Sequence, residues 1–299
     1  MIELRQVAKR YGEVQAVDGV DLAVDAGQVF GLIGHNGAGK STLFKMMLGL
    51  VPAGGGEIRI DGQPVSGPGF RAVRRQLGYL PENVVFYDNL TGLETLAFFA
   101  RLKSVDRAEC APLLERVGLS AAADRRVKGY SKGMRQRLGF AQALLGTPKL
   151  LFLDEPTTGL DPEGIRDFYR ILKDMKDKGV TVMLTSHILS EIQERVDRLA
   201  IMRTGKIQAL GTVQSLREAM ALPMWFELRL PAGAESLLRG SLAALDVGEI
   251  RVEGERARVH CPRASKMAVL KVLSSLKQCA TDLQIREPSL EDVFLGYSG

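Results

Sequence analysis

Apolar and polar side chains alternate in short runs over the first part of the chain, the pattern of half-buried strands. Ile2 and Leu4 begin this pattern, and a turn at Asp25-Ala26-Gly27 precedes the continuous apolar run 29–33. A glycine-rich segment follows, and then a helical pattern from about Lys40 to Leu48. The sequence therefore predicts a buried strand that leads through a glycine loop into a helix.

Helical spacing dominates a second region, roughly residues 88–146, after short predicted strands at 57–61 and 77–80. Two sites there have the spacing of a capping box, namely Thr91 with Glu94 and Asp106 with Glu109. They predict helices over 91–103 and 106–117. We interpret residues 88–146 as a helical insert.

The pattern then alternates between strand and helix. The apolar run 150–153 suits a strand buried on both faces of a parallel sheet. Asp161 is a predicted N-cap, and Pro162 begins a helix that stops at Gly179. A strand at 180–184 and a hairpin at 198–211 follow, which completes the predicted α/β domain of residues 1–220.

A second domain is predicted over residues 223–299, with a boundary near Leu222-Pro223. The pattern reads strand 224–230, helix 233–245, strands 247–252 and 256–261, helix 264–277 and strand 281–286, followed by a short segment at 289–294. This βαββαβ order predicts a small ferredoxin-like α+β domain. We interpret His260, Cys261 and Met267 as packing residues and not as copper ligands, because their spacing does not repeat.

Composition narrows the class of protein. The 299 residues are 45% hydrophobic and 25% charged, as in ordinary globular domains, and no run reaches the ~18–20 apolar residues of a membrane span. The N-terminus lacks the pattern of a signal peptide, so a cytoplasmic protein is expected. Cys110, Cys261 and Cys279 have no metal-ligand spacing and are expected to be reduced. A net charge of +5, spread among nearly as many acids, favours a mixed surface over a nucleic-acid site.

The glycine loop has the spacing of a phosphate-binding loop. Its members are Gly34, His35, Asn36, Gly37, Ala38, Gly39, Lys40, Ser41 and Thr42. Backbone N–H groups of such a loop surround phosphate oxygens, Lys40 reaches the β- and γ-phosphates, and the Ser41 hydroxyl ligates Mg²⁺. The alternative, an ordinary glycine turn, is disfavoured by the strand before it and the helix after it.

Two carboxylates follow the strand at 150–153. Asp154 is predicted to hold Mg²⁺ through water, and Glu155 to orient and deprotonate an attacking water. A plain turn before Pro156 is the alternative. His187 ends the next strand and is predicted to face the γ-phosphate, although a lone histidine at a strand end is more often structural.

Two further residues have weaker signals. Ser131 is a plausible N-cap whose helix N-terminus could bind an anion, and a simple capped helix is the other interpretation. Tyr11 stands just before a turn and could stack on adenine, whereas a packing role is the safer interpretation of that residue alone.

Taken in order, these motifs resemble an ABC-type ATPase subunit over residues 1–215. The resemblance implies that Tyr11 is the adenine-stacking aromatic, that Asp161 belongs to the D-loop, and that His187 is the switch histidine. It also implies a Walker A loop at 34–42, a Walker B strand at 150–155, and a signature motif at Ser131, Lys132, Gly133 and Met134. Lys132 and Met134 depart from the usual Leu-Ser-Gly-Gly-Gln, and Glu82 stands where the family usually has a glutamine that meets Mg²⁺ or its water.

The resemblance further implies a RecA-like core with an antiparallel β subdomain and a helical subdomain. Two subunits, most simply a homodimer, would trap ATP between the phosphate loop of one and the Ser131 segment of the other. Hydrolysis at Glu155 would then let the two subunits open. The groove around Glu82 and the helical insert would transmit this motion to a separate membrane permease. This places the protein on the cytoplasmic face of the inner membrane, and a heterodimer with a second ATPase stays open.

Residues 74–87, 95–103 and 124–146 are similar to the NosF family of ATPases. That family serves the maturation of the copper–sulfur cluster of nitrous oxide reductase, together with a permease and a periplasmic binding protein. The alternative within transport is the ATPase of a drug or lipid exporter. A non-transport ABC ATPase acting on DNA or ribosomes is less favoured, because the chain has one Walker A loop and no sustained heptads.

Overall fold

The computed structural model describes residues 1–219, 224–231, 233–276 and 281–286. It divides into two compact units, Met1–Thr212 and Val213–Gly299. The predicted boundary at 222–223, the segment 289–294 and Cys279 lie outside the described residues. Cys110 and Cys261 are buried free thiols.

The first unit alternates strands and helices. In chain order its elements are β1 (Ile2–Tyr11), β2 (Val14–Val24), β3 (Val29–Ile33), α1 (Lys40–Met47), β4 (Gly55–Ile60), β5 (Gln63–Pro64), α2 (Phe70–Arg75), β6 (Leu77–Leu80), α3 (Gly92–Lys103), α4 (Cys110–Arg116), α5 (Lys132–Leu144), β7 (Leu150–Leu153), α6 (Pro162–Asp177), β8 (Thr181–Ser186), α7 (Leu189–Ile192), β9 (Arg198–Arg203) and β10 (Lys206–Gly211).

Six strands form the central sheet in the order β10-β9-β3-β8-β7-β6. All neighbours are parallel except β9 and β10, which form the predicted hairpin. Strands β3, β7 and β8 are buried at every position, and the continuous apolar runs of β3 and β7 predict this burial. Leu80, the last residue of β6, lies beside Leu153, the last residue of β7, and Leu153 lies beside Leu184 of β8, which extends two residues further. The residues that follow these three strands therefore share one edge of the sheet.

A second, antiparallel sheet has the order β2-β1-β4-β5. Helix α1 joins it to the central sheet, since Leu43, Phe44 and Met47 belong to one buried cluster with side chains of both sheets. The ring of Phe44 meets that of Phe152 edge to face at 5.4 Å. This packing fixes the direction of α1, and therefore the position of the loop before it.

The helical insert corrects one prediction. Thr91 and Glu94 form the predicted capping box of α3. Asp106 and Glu109 do not form one: Asp106 caps a short 3₁₀ turn by accepting from the Ala108 N–H, and the Glu109 carboxylate accepts from Gly146 N instead. The single helix predicted over 106–117 is therefore a 3₁₀ turn followed by α4.

The second unit begins with α8 (Val213–Ala219), which was not predicted, as α2 and α7 were not. The predicted βαββαβ order then follows: β11 (Met224–Arg229), α9 (Glu235–Leu242), β12 (Ile250–Glu253), β13 (Arg256–Cys261), α10 (Lys266–Ser275) and β14 (Thr281–Arg286). The antiparallel sheet order β12-β13-β11-β14 is that of a ferredoxin-like fold. Helices α9 and α10 contribute to the buried cluster on one face of this sheet.

None of the helices described in either unit has both the length and the apolar character needed to span a membrane.

Candidate functional site

The glycine loop joins β3 to α1 at the shared edge of the central sheet. Gly39, with φ of 105°, precedes the first residue of α1, and a methyl group there would overlap the carbonyl oxygen of Ala16. A methyl group on Gly34 would overlap the carbonyl of Met202. The turn of the β9–β10 hairpin also holds the loop, because Gly205 N donates to Ala38 O at 3.0 Å, an ordinary distance for a backbone hydrogen bond.

Lys40 lies inside this loop and is 6% exposed. Its ammonium group donates to Gly34 O at 2.5 Å and to His35 O at 3.3 Å, and lies 3.6 Å from Glu155 Oε1. The positive charge is thus held beneath the loop and next to the carboxylate of the following motif. A phosphate group entering the loop would compete with that carboxylate for the ammonium group.

Asp154 and Glu155 follow β7 directly and are both buried. Glu155 has a left-handed backbone with φ of 48°, unusual for a residue with a side chain. Its Oε2 lies 2.6 Å from His187 Nδ1, whereas its buried Oε1 accepts no hydrogen bond among the described residues. Glu155 therefore contacts both Lys40 and His187, so the structure brings these three predicted residues together.

Thr185 also belongs to this cluster, although it is not among the predicted site residues. It is fully buried near the end of β8. Its hydroxyl donates to Asp154 Oδ1 at 2.7 Å and accepts from Glu155 N at 2.8 Å. One side chain thus holds both carboxylate residues. The only sequence signal for this role of Thr185 is its position two residues before His187, on a strand adjacent and parallel to that of the carboxylates.

Two predicted residues lie at the margin of the cluster. Glu82 is exposed in the loop after β6, whose end lies beside Asp154. Burial of Tyr79, together with the charges of Asp154 and Glu82, raises the pKa of its phenol to about 12. Tyr11 ends β1, is 47% exposed, and has the Lys9 ammonium over its ring.

The Ser131 segment lies at the start of α5. Ser131 Oγ accepts from Met134 N at 3.2 Å as the predicted N-cap. Gly133 packs so closely on the Gly159 carbonyl that a methyl group would not fit. Asp161 caps α6 and also accepts from Arg137 of α5 at 3.2 Å, so this segment and the predicted D-loop form one surface. The hydrogen bond from Gly164 N lowers the pKa of Asp161.

An apolar groove of about 400 Å³ lies between α3 and the loop after β6. Within it Phe86 and Phe99 meet edge to face, as do Tyr87 and Phe98. Val85 at its margin is 85% exposed. We call this the aromatic groove, and its lining residues are Val85, Phe86, Tyr87, Leu90, Thr95, Phe98 and Phe99.

Comparison with known proteins decides the family. The family model described as ABC transporter matches residues 17–158. The chain is 36% identical to the daunorubicin/doxorubicin resistance ATP-binding protein DrrA of Streptomyces peucetius, over 100% of this chain and 92% of that protein. The chain belongs to the ABC transporter ATP-binding proteins.

Two further likenesses agree with this. The chain is 36% identical to the phospholipid-transporting ATPase ABCA7 of Homo sapiens, over 100% of this chain but only 14% of that much longer protein. A solved structure described as the ATP-binding subunit of an ABC transporter superimposes with a TM-score of 0.68 at 33% identity, covering 73% of this chain and 92% of that one. The fold is therefore that of an ABC ATPase, and the chain is an ATP-hydrolysing subunit of this family.

Proposed function

We propose that this ABC ATPase drives the transporter that serves maturation of the copper–sulfur cluster of nitrous oxide reductase. The observation that carries the proposal is where the NosF-like residues lie. The stretches 74–87 and 95–103 contain most of the aromatic groove, and 124–146 contains α5, which packs on β6 beside it. An exposed apolar groove is suited to a protein partner, and the similarity of its residues to the NosF family supports a partner of the kind that this family uses.

The second candidate is the ATPase of a drug or lipid exporter. It is favoured by the names of two relatives, a daunorubicin/doxorubicin resistance protein and a phospholipid-transporting ATPase, whose alignments extend over the whole of this chain. Both candidates need a separate membrane permease. They differ in the cargo and in the consequence of losing the gene.

In the proposed mechanism the glycine loop binds the ATP phosphates. Lys40 exchanges its hydrogen bonds to loop carbonyls and its ion pair with Glu155 for contacts with the β- and γ-phosphates. Glu155 then orients a water molecule and accepts its proton, since a carboxylate oxygen without a hydrogen-bond donor is available for that bond. His187, 2.6 Å from the other oxygen, holds the Glu155 carboxylate in place. Tyr11 stacks on the adenine.

The residues present fit Mg²⁺. Hydroxyl and carboxylate oxygens are its preferred ligands, and the half-buried Ser41 and the buried Asp154 supply them, with Glu82 at the margin. When bound, the ion neutralises charge that develops on the phosphate oxygens. Thr185 keeps the Asp154 carboxylate oriented by its hydrogen bond.

Two copies of the chain close head to tail in this proposal, so that the Ser131 segment of one completes the phosphate site of the other. The permease docks in the aromatic groove. Glu82 lies in the loop between the aromatic groove and the sheet edge that carries Asp154 and Glu155. It transmits the closure of the two subunits to the permease. A peripheral position at the cytoplasmic face of the inner membrane follows, and the permease works with a periplasmic binding protein. No nucleic acid takes part.

Deletion of the gene in the source organism tests the proposal. Cells grown anaerobically on nitrate are expected to accumulate nitrous oxide and to contain a reductase without its catalytic copper–sulfur cluster, as measured by copper content and spectrum. The wild-type gene should restore both, and Glu155→Gln should restore neither. Normal nitrous oxide consumption combined with new sensitivity to an amphipathic drug would instead favour the exporter.

A further inference from the structure

In the part of the second unit that the structure describes, α9 and α10 pack on one face of the sheet, and the opposite face is rich in arginine. Along β11 the buried residues Met224, Phe226 and Leu228 point toward α9 and α10, so the alternate residues point to the open face. The same alternation on β13 turns Arg256 and Arg258 to that face. The strand register therefore decides which charges meet there.

Most of these arginines have a carboxylate partner. Arg258 and Arg286 both contact Glu227, at 2.9 and 3.4 Å, and Arg251 contacts Glu249 at 2.6 Å. Such pairs are ordinary for a solvated sheet face.

Arg229 and Arg256 are different. They lie directly opposite each other in the β11–β13 register, where two like charges are unfavourable. Neither forms an ion pair with any residue that the structure describes, although Glu253 lies opposite Arg256 on the other side. Both side chains are exposed. Among the residues described, two neighbouring guanidinium groups therefore have N–H donors available for an anion.

A cavity of about 220 Å³ lies at this pair. Its charged lining residues are Arg229, Arg256, Arg258, Arg286, Glu227 and Asp282, and they give an excess of two positive charges. The cavity is smaller than the ~300–1,000 Å³ of drug-sized pockets, so it suits a small ligand and not a polymer.

We propose that this cavity binds a soluble phosphate monoester, held between Arg229 and Arg256. A phosphate monoester carries close to two negative charges at pH 7, which matches the excess charge of the lining. Planar guanidinium groups bind phosphate through paired hydrogen bonds, and an anion between the two side chains removes their mutual repulsion. This site is separate in chemistry from the glycine loop, which uses backbone N–H groups and one lysine.

Trp225 provides a direct readout. It is the only tryptophan of the chain, and on the open face it lies opposite Arg286 in the register. The test measures its fluorescence in the full chain carrying Lys40→Ala, which weakens phosphate binding at the glycine loop. The probes are inorganic phosphate and glycerol 3-phosphate, and potassium chloride at equal ionic strength is the salt control.

Saturable quenching or enhancement by both phosphate probes, absent with chloride, is expected. The double substitution Arg229→Gln and Arg256→Gln should weaken the apparent affinity about tenfold or more, since it removes two charge-assisted contacts. The control Arg251→Gln, on the same face but outside the cavity, should leave it unchanged. A melting temperature of the double variant at or above that of its parent would show that it is folded.

Three results would overturn the proposal. They are a response to phosphate no larger than the response to chloride, an unchanged affinity in the double variant, and a response only to vesicles of phosphatidylcholine with phosphatidic acid. The last result would assign the face to a membrane surface and not to a soluble ligand.

Discussion

At the scale of single residues, the carboxylate cluster depends on a threonine that touches no substrate. Thr185 holds Asp154 through its hydroxyl proton and Glu155 through its oxygen, and it is fully buried. Glu155 needs such a support because its backbone lies in the left-handed region, which a side chain ordinarily disfavours. In the proposed mechanism Thr185 is therefore a positioning residue for the base Glu155 and the metal ligand Asp154.

Thr185→Val tests this role. The substitution keeps the shape but leaves a buried N–H group of Glu155 without its acceptor, which costs about 1–3 kcal/mol of stability. We expect kcat for ATP hydrolysis to fall about ten- to a hundredfold, because the base is misplaced, while the KM for ATP changes little. Thr185→Ser, which retains the hydroxyl, should recover most of kcat. A change in KM alone would contradict the positioning role.

Substitutions at two glycines of the glycine loop can separate the cost of backbone strain from the cost of steric overlap. Both Gly37 and Gly39 have positive φ, but only at Gly39 would a methyl group meet backbone, namely the Ala16 carbonyl. Gly37→Ala should cost about 1–2 kcal/mol from backbone strain alone. Gly39→Ala should cost about 2–5 kcal/mol, because overlap with the Ala16 carbonyl of β2 adds to the strain. Urea unfolding of the two variants measures the difference, and equal losses would contradict it.

At the scale of elements, the sequence predicted well wherever a long pattern had clear ends. Helix α6 has an N-cap, a proline at its first turn and a glycine stop, and it forms as predicted. Helices α2 and α7 are short and lack such signals. The capping box at Asp106 failed because a distant group, Gly146 N, binds the Glu109 carboxylate. Tertiary contacts of this kind leave no local pattern.

Prediction of the site residues was limited in the same way, because contacts between distant segments leave no local sequence pattern. The order of the motifs located Lys40, Glu155 and His187, since residues at the ends of neighbouring parallel strands must share an edge. Thr185 and the Arg229–Arg256 pair depend on strand register, which a single sequence does not reveal.

The aromatic groove beside α3 is the proposed docking site of the permease, and two substitutions test this. Val85 lines the groove and is 85% exposed, whereas Leu102 is 66% exposed on α3 but does not line it. Val85→Glu should abolish copurification of the ATPase with its permease, because a charge would be buried in the contact. Leu102→Glu is the matched control and should copurify normally. Both variants should melt at the wild-type temperature, since both sites are exposed. Normal copurification of Val85→Glu would place the permease elsewhere.

At the scale of the whole molecule, the proposed ATP site combines two segments of the first unit, each supplied by a different copy of the chain. The phosphate loop, Glu155 and His187 share the edge of the central sheet, whereas the Ser131 segment packs against the residues before α6. If a second copy supplies the missing half, ATP itself links the two chains. Hydrolysis then removes the link, and a variant that binds ATP without cleaving it should stay dimeric.

Glu155→Gln is that variant, because an amide cannot accept the proton of the attacking water. With ATP and Mg²⁺ it should elute as a dimer in size-exclusion chromatography, and without ATP as a monomer. Adding Ser131→Asp should prevent the dimer: aspartate still caps α5, but its charge repels the γ-phosphate of the facing subunit. Ser131→Asn caps the helix without a charge and should retain the dimer. A dimer that persists in Glu155→Gln with Ser131→Asp would show that Ser131 does not face the nucleotide of its partner.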